Sequence, residues 1–489
     1  MFRKRLGISA VVASVLIAAF PTVAAPSPAA GSAPIASSSA KLPLAKFEEG
    51  PTILQPDLIA DFDAWMSGMR ALNPDISIRA DVPTLDREAA GIRASLTGSM
   101  SRREAWLHFA RLNPYMRDAH AGIQMPGYRE ALEAHIKAGG HVAPIEVRFG
   151  ADGVLRVFAV APGVDAIKPG DRVVSINGHR VDRMVASMLA LAVGETPGFR
   201  HAFVERRFAM LYWYLYGDTG QYEVVMQSGR SGDRRQIRMT GAATLPEALQ
   251  SRPRSEDLFD WAILPGDIAY LRVDSFDPDQ KDALAKVAQT AFAAFKQRGA
   301  RALIIDVREN GGGDDPLWQQ SLMNYITSKP YAQLSRYEVR VTKDNAGPGD
   351  VVGDVQRADY TKRLTPDPVN PARFDGPVYI LGGPYSYSAA IQFIVAAQDF
   401  GIAKIAGWET AALSCQTGQV RRIALPKTGL SASTPIIAYT RPSGQGCKRG
   451  VIPDVPIPIN EVQPGETLEA LRTWIGAHSG ETQKQTAAP

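Results

Sequence analysis

A serine at the predicted start of a buried helix is the first residue of this chain that suggests catalysis. Residues 378–381 form a short apolar run, which indicates a buried strand, and a glycine–proline turn breaks it. From Ser388 the apolar residues recur at helical spacing as far as Gly401, a natural C-terminal cap. Unpaired N–H groups at a helix start stabilise developing negative charge. Two interpretations are open: Ser386 or Ser388 is an ordinary N-cap, or Ser388 is a nucleophile.

Acyl transfer requires a nucleophile, N–H donors for the oxyanion and a base. A second glycine-rich turn, Gly311-Gly312-Gly313, follows the apolar run 302–307, which predicts another buried strand. Glycine lets the backbone approach a ligand closely. If the two predicted strands belong to one sheet, the turns at their ends would be neighbours. The base has to come from elsewhere in the chain, and lysine or histidine would serve.

The patterns of several other functional classes are absent from the sequence. No serine lies in the G-x-S-x-G pattern of α/β-hydrolases, and neither H-E-x-x-H nor the P-loop pattern occurs. The seven histidines are scattered, so no metal site is predicted, and nothing predicts a cofactor. The small net charge of +4 and the lack of a basic stripe with interleaved aromatic residues argue against a nucleic-acid partner.

The N-terminal residues predict export. A basic start precedes an apolar run over residues 8–20 and a small-residue cleavage site at 22–24, so residues 1–24 are predicted to be a secretory signal peptide. The apolar run is too short to span a bilayer, which makes a retained N-terminal anchor the weaker interpretation. Residues 25–46, rich in Ala, Ser and Pro, predict a disordered linker. We expect a periplasmic protein without stable membrane insertion.

The chain contains two cysteines, Cys415 and Cys447. In an exported protein an isolated pair predicts a disulfide bond. A zinc site would need further ligands nearby, and the surrounding sequence has none.

The pattern along the 489 residues divides into three folded units, in keeping with the length. Residues 47–140 carry amphipathic helical patterns, including a capping box that starts at Ser101, and the helix that begins there is followed by a loop with Asp118-Ala119-His120. Residues 141–245 change to short β-type runs. Strand–helix alternation over residues 256–478 predicts a layered α/β core.

The string I-K-P-G-D-R-V-V-S-I-N-G-H-R-V, residues 167–181, resembles the second half of a PDZ domain. PDZ domains bind extended peptides by strand addition, so the resemblance implies a peptide groove in the β-rich unit. The alternative is a PDZ-like domain whose sheet edge is covered.

Five further strings occur in a fixed order and together resemble one protease family. They are Y-L-R-V-D-S-F (270–276), D-V-R-E-N-G-G-G (306–313), S-A-A (388–390), G-W-E-T (407–410) and G-V-I-P-D (450–454). The chain is similar to the carboxyl-terminal-processing and tricorn-core family of serine proteases. The resemblance implies an α/β fold with a crotonase-like (ClpP-like) catalytic core, a PDZ-like β-domain and a helical N-terminal unit.

The resemblance also assigns roles to particular residues. Ser388 takes the place of the nucleophile, and the N–H groups of Gly312 and Ala389 take the places of the oxyanion donors. Leu413 stands where one branch of the family has its catalytic lysine. The other branch uses a histidine upstream of the PDZ unit, and His120 lies there. Because some base is required, His120 is favoured as catalytic over a purely structural loop histidine.

The acid that would orient His120 is not identified by the sequence. The tricorn-like branch has a glutamate just before the G-V-x-P-D string, but residues 445–449 contain no carboxylate. Glu409 or Asp454 could replace it, or the acid is absent.

The predicted function is that of an exported serine endopeptidase that cleaves peptides or unfolded proteins. The alternative is a catalytically degenerate homologue that binds peptides as a scaffold. An acyl-CoA enzyme is disfavoured by the signal peptide, because CoA is cytosolic. Homo-oligomerisation is left open.

Overall fold

The computed structural model describes residues 52–161, 166–229, 231–245, 255–458, 460 and 463–486. The predicted signal peptide, residues 1–24, and the predicted linker, residues 25–46, lie outside these residues. The described chain is a mixed α/β protein with three sheets. None of its described helices is both long and apolar enough to cross a membrane.

The N-terminal region is built mainly of helices that pack around a buried aromatic cluster. Ser101 starts α3 with the predicted capping box, in which its hydroxyl and the Glu104 side chain satisfy each other's backbone N–H groups. One short strand interrupts the helices. The elements are α1 (Gln55–Leu72), α2 (Val82–Ser95), α3 (Arg102–Phe109), α4 (Asn113–Met116), β1 (Gly122–Gln124) and α5 (Tyr128–Lys137), with 3-10 turns at Ile76–Ile78 and Ala110–Leu112.

The second region forms an antiparallel sheet and three helices. The elements are β2 (Ile145–Phe149), β3 (Leu155–Val160), β4 (Arg172–Ile176), β5 (His179–Arg180), α6 (Val181–Leu189), α7 (Pro197–Arg206), α8 (Phe208–Tyr216), β6 (Gln221–Gln227) and β7 (Arg234–Thr240). The strand order is β2-β3-β4-β6-β7, with β5 paired to β4. The sequence did not predict α8, because residues 208–215 are all buried and a helix that is apolar on every side shows no amphipathic period.

The third region contains the remaining elements, which form two sheets. The elements are α9 (Ser255–Leu258), β8 (Phe259–Leu264), β9 (Ile268–Val273), α10 (Lys281–Gln297), β10 (Ala302–Asp306), α11 (Asp315–Trp318), α12 (Asn324–Ile326), β11 (Arg336–Arg340), β12 (Val355–Asp359), β13 (Val378–Gly382), α13 (Ala389–Asp399), β14 (Lys404–Gly407), β15 (Thr417–Leu425), β16 (Leu430–Thr440), β17 (Val455–Pro456) and α14 (Pro464–Thr486). A 3-10 turn covers Pro278–Gln280, and a π-helical turn, Gln319–Met323, joins α11 to α12.

The main sheet has the order β17-β14-β13-β10-β9-β8 and is parallel except for β8. Every residue of β10 is buried, which explains its continuous apolar sequence. Leu303 and Ile305 pack in the cluster that contains α10 and α13, and Ile304 packs in the one that contains α14. Asp306 lies beside Leu381. The turns that follow β10 and β13 therefore leave the same edge of the sheet.

A second, antiparallel sheet ties the N-terminal region to the third region. Its order is β1-β16-β11-β12, and β15 also pairs with β16. Gly122 of β1 lies opposite Ser433 of β16. One hydrophobic core contains Trp65 of α1, Tyr212 of α8 and Leu430 of β16. The loop before β1 is thereby fixed against the segment that carries β15.

Cys415 and Cys447 form a disulfide bond, with their Cα atoms 4.7 Å apart, and the two residues are 32 positions apart in the sequence. We predict that protein unfolded without reductant will show no free thiol in a thiol titration. Replacement of both cysteines by serine should lower the free energy of unfolding by about 3–4 kcal/mol, because the bond restricts the unfolded chain. Two free thiols in the unreduced protein would contradict the pairing.

Candidate active site

Ser388 lies between β13 and α13 in a strained backbone conformation. Its φ of 53° and ψ of −120° are rare for a residue with a side chain and cost on the order of 1–3 kcal/mol. The Ser386 hydroxyl closes the turn by donating to the Val307 carbonyl (2.7 Å) and accepting the Gly383 N–H (3.1 Å). The Ser388 hydroxyl makes no capping hydrogen bond with the helix that follows. An ordinary N-cap is therefore not the role of Ser388.

His120 reaches Ser388 from the loop between α4 and β1. Its Nε2 lies 3.3 Å from Ser388 Oγ, and the residue is only 3% exposed. On the other side of the ring, Nδ1 lies 3.0 Å from Thr417 Oγ1 and 2.7 Å from the Tyr387 hydroxyl. The Tyr387 ring stacks on the imidazole with the centroids 4.6 Å apart. Both ring nitrogens therefore have polar partners, and Nε2 is the one that faces the serine.

A buried carboxylate stands behind His120 through the Thr417 hydroxyl. Asp118 Oδ1 accepts the His120 backbone N–H (2.8 Å) and the Thr417 O–H (3.0 Å), and it lies 3.6 Å from His120 Nδ1. Burial acts to raise the pKa of Asp118, but hydrogen bonding and the charge of His120 outweigh it, so this pKa is lowered. An ionised Asp118 is thus the stable state of this carboxyl group.

The glycine-rich turn after β10 packs directly against Ser388. Gly312 has a φ of 101°, and a Cβ there would lie 2.7 Å from Ser388 Cβ and 3.1 Å from the Ala389 nitrogen. Only glycine fits this approach. Ala389 is the first residue of α13, so its N–H has no partner within the helix. The Gly312 N–H donates to Asn310 Oδ1 at 2.9 Å.

The residues around the disulfide contact both Ser388 and His120. The Ser388 N–H donates to Gln416 Oε1 at 3.2 Å, and Thr417 is the next residue. Cys415 precedes them, and its carbonyl accepts a hydrogen bond of 2.5 Å from Arg79. The disulfide therefore holds the start of the strand that carries these two site residues.

Residues 267–457 match the family model described as Peptidase family S41. This segment belongs to peptidase family S41. This match supports a serine-type peptidase.

Solved structures show a similar fold over most of the chain. Mature CPAF is 16% identical, with a TM-score of 0.60 over 84% of this chain and 94% of that chain. Mature CPAF complexed with lactacystin is 15% identical, with a TM-score of 0.59 over 84% of this chain and 96% of that chain. At these identities the likeness is one of fold alone. The photosystem II D1 C-terminal processing protease is 17% identical, with a TM-score of 0.44 over 82% of this chain and 93% of that chain.

The S41 segment supplies only part of the site. Ser388, Gly312 and Ala389 lie inside it, whereas His120 and Asp118 come from the N-terminal region. The structure thus brings together all four residues that the sequence placed at the nucleophile, base and oxyanion positions.

Neither acid considered from the sequence lies behind His120. Glu409 accepts hydrogen bonds from Arg449 (2.6 Å) and from the Gly450 N–H (2.9 Å). Asp454 accepts the Ile405 N–H at 2.7 Å. The carboxylates of Glu409 and Asp454 therefore fix loops of the S41 segment. The carboxylate next to His120 is that of Asp118, two residues before it in the sequence.

Sequence reasoning missed three side chains that contact Ser388 or His120, namely Tyr387, Gln416 and Thr417, and a fourth, Glu195, whose charge interacts with Asp118 and His120. Tyr387 precedes the serine, and Gln416 and Thr417 follow Cys415, so adjacency to residues already singled out was the available signal. Glu195 lies between α6 and α7 in no motif, and no local signal pointed to it.

The close approach of Gly312 to Ser388 gives a direct test. In Gly312→Ala the added Cβ would overlap Ser388 Cβ, and we expect kcat/KM for a peptide substrate to fall on the order of 100-fold, as for a displacement of about 1 Å at a reacting group. Gly401→Ala is the matched control, because Gly401 also has a positive φ, 61°, but nothing lies within 4 Å of its added Cβ. Equal losses in the two variants would show that backbone strain, not the contact, is responsible.

Proposed function

We propose that this chain is an exported serine endopeptidase in which Ser388 is the nucleophile and His120 is the general base. The observation that supports this assignment best is the 3.3 Å separation of His120 Nε2 from Ser388 Oγ, which is within reach of the looser geometry usual before substrate binds. The strained turn and the helix start at Ser388 also favour a nucleophile over a structural serine.

In the proposed mechanism the proton of Ser388 moves to His120 Nε2 as Oγ attacks a peptide carbonyl. The Nδ1–H of His120 donates to Thr417 Oγ1, and the Thr417 O–H donates to Asp118 Oδ1. This arrangement keeps the ring proton on Nδ1 and stabilises the imidazolium that forms. His120 then returns the proton to the leaving amine, and water hydrolyses the acyl-enzyme by the same proton path.

The oxyanion would be held by the backbone N–H groups of Ala389 and Gly312. Both groups lie beside Ser388, and the helix start at Ala389 adds a favourable dipole. The Gly312 N–H now donates to Asn310 Oδ1. We therefore infer that it exchanges this acceptor for the substrate oxygen when a peptide binds.

We propose that the other regions of the chain support peptide hydrolysis. The region of residues 141–245 would be a PDZ-like unit that holds or gates a peptide or unfolded protein, and the main sheet with its helices would be the crotonase-like core. The disulfide supports export, because such bonds persist in oxidising compartments. Residues 1–24 would direct the chain to the periplasm.

Ser388→Ala should abolish peptide hydrolysis and covalent labelling by a fluorophosphonate probe, with an unchanged circular dichroism spectrum. Ser443→Ala, which removes an exposed serine hydroxyl, is the control and should label and cleave as the wild type does. Labelling that survives in Ser388→Ala would reject the assignment of Ser388 as the nucleophile. A wild-type protein that neither labels nor cleaves, but binds peptides, would instead support the scaffold alternative.

Thr417→Val removes the hydroxyl between His120 and Asp118 at nearly constant volume. We expect kcat to fall on the order of 100-fold, a part of what a well-placed base contributes, with little change in KM. Thr434→Val is the control, because Thr434 is also buried and lies in the same sheet. Wild-type kcat in Thr417→Val would rule out the connection from His120 to Asp118 through Thr417.

A further inference from the structure

A second buried carboxylate lies near His120, and the mechanism above does not use it. Both carboxylate oxygens of Glu195 are buried, and neither makes a hydrogen bond of ordinary length and angle with the described residues. The segment is well anchored, since the next residue, Thr196, caps α7 and donates to the Ala411 carbonyl at 2.6 Å. A buried carboxyl group without a partner is unfavourable, so its retention at this place calls for a functional reason.

The charged groups that face Glu195 come from several elements. Burial raises its pKa, and the negative charge of Asp118 raises it further, whereas Arg79 and His120 act in the opposite direction. Arg200 of α7 is also close enough for the Glu195 charge to act on it. Glu195 is therefore protonated at a higher pH than an ordinary glutamate.

The Tyr387 hydroxyl contacts His120 and is close enough to Glu195 to interact with its carboxyl group. It lies 2.7 Å from His120 Nδ1, and the pKa of this hydroxyl is raised by burial and then by the facing Glu195 carboxylate. The Tyr387 ring is held between the imidazole, 4.6 Å away, and Phe199 of α7, 4.8 Å away. Since Phe199 lies four residues after Glu195, the same segment fixes both the ring and the carboxyl group.

We propose that Glu195, acting through the Tyr387 hydroxyl, is a positioning residue that selects the tautomer of His120 able to accept the Ser388 proton. The proposal rests on the proposed function, and it adds a second carboxylate to the one that acts through Thr417.

The ionised form of Glu195 supports catalysis. A carboxylate can only accept, so in this form the Tyr387 O–H would turn toward Glu195 and present an oxygen lone pair to His120. The Nδ1–H of His120 then donates to Tyr387 and Thr417, and Nε2 carries the lone pair that Ser388 needs.

The protonated form of Glu195 opposes catalysis. Its carboxyl O–H donates to the Tyr387 oxygen, and the Tyr387 O–H then points at Nδ1. A neutral His120 with an accepting Nδ1 carries its proton on Nε2, where it cannot take the proton of Ser388. The two hydroxyls beside Nδ1 favour the same tautomer only while Asp118 and Glu195 are both ionised.

The experiment is the pH dependence of kcat/KM in the full-length enzyme. In the wild type two protonations, on His120 and on Glu195, should stop the reaction as the pH falls, so the acidic limb of log kcat/KM should approach a slope of two. Glu195→Gln should approach a slope of one, because glutamine cannot be protonated there. Its amide oxygen can still accept from Tyr387, so the plateau should fall by only about tenfold, less than the loss of a base itself.

Glu205→Gln is the matched control. Glu205 is also buried, and it accepts a hydrogen bond of 2.5 Å from the hydroxyl of Tyr385 in the same serine turn. The Glu205→Gln variant should keep a slope of two in the acidic limb of log kcat/KM. Tyr387→Phe removes the connecting hydroxyl and should give the slope of one with its ring contacts retained. A structural role of Glu195 would change the melting temperature of Glu195→Gln but leave the slope at two.

A second readout does not require turnover. In Ser388→Ala labelled with 15N-histidine, the ring shifts of neutral His120 should indicate Nδ1–H at high pH and a growing fraction of Nε2–H as the pH falls. Glu195→Gln in this background should remain Nδ1–H. A slope of two in both Glu195→Gln and Tyr387→Phe, or an unchanged tautomer, overturns the proposal. Failure of the proposed function is distinguishable, because the wild type would then not cleave or label at Ser388.

Discussion

In the main sheet β10 and β13 run parallel with Asp306 beside Leu381, and this register brings two sharp turns to one edge. The strands are buried on both faces, so a slip of one residue would exchange the side chains of two packed layers. Gly312 and Ser388 then approach so closely that no Cβ fits between them. Ser388 and the candidate oxyanion donors therefore depend on a backbone contact that the sheet fixes.

The histidine side of the site depends on a different sheet. β1 pairs with β16, and this pairing fixes the loop with Asp118 and His120 against the start of β15. Asp118 orients the backbone of His120 and reaches its ring through Thr417. The disulfide at Cys415 holds the residues that complete the site. Two rigid surfaces, each stabilised by its own packing, thus meet at the distance between Nε2 and Oγ.

The buried charged groups of the site are unfavourable for the stability of the folded protein. Two carboxyl groups, Asp118 and Glu195, are buried near each other, beside His120 and the half-buried Arg79. The pKa of Asp118 is lowered and that of Glu195 is raised. The strained backbone of Ser388 is a second unfavourable feature. Such departures from optimal packing are expected at sites selected for chemistry, and groups with shifted pKa values are typical of acid–base positions.

The sequence by itself determined the local features of the site. The strand, turn and helix around Ser388, the glycine turn and the capping box at Ser101 follow from periodicity and from residues with special backbone preferences, and the structure confirms them. The family motifs directed attention to His120. Only the tertiary structure decided what stands behind the histidine, because Thr417 and Asp118 are 299 positions apart and a hydrogen bond at that separation leaves no local pattern. The same reason explains why the sequence did not point to Glu195: the role proposed for it depends on which groups are buried beside it.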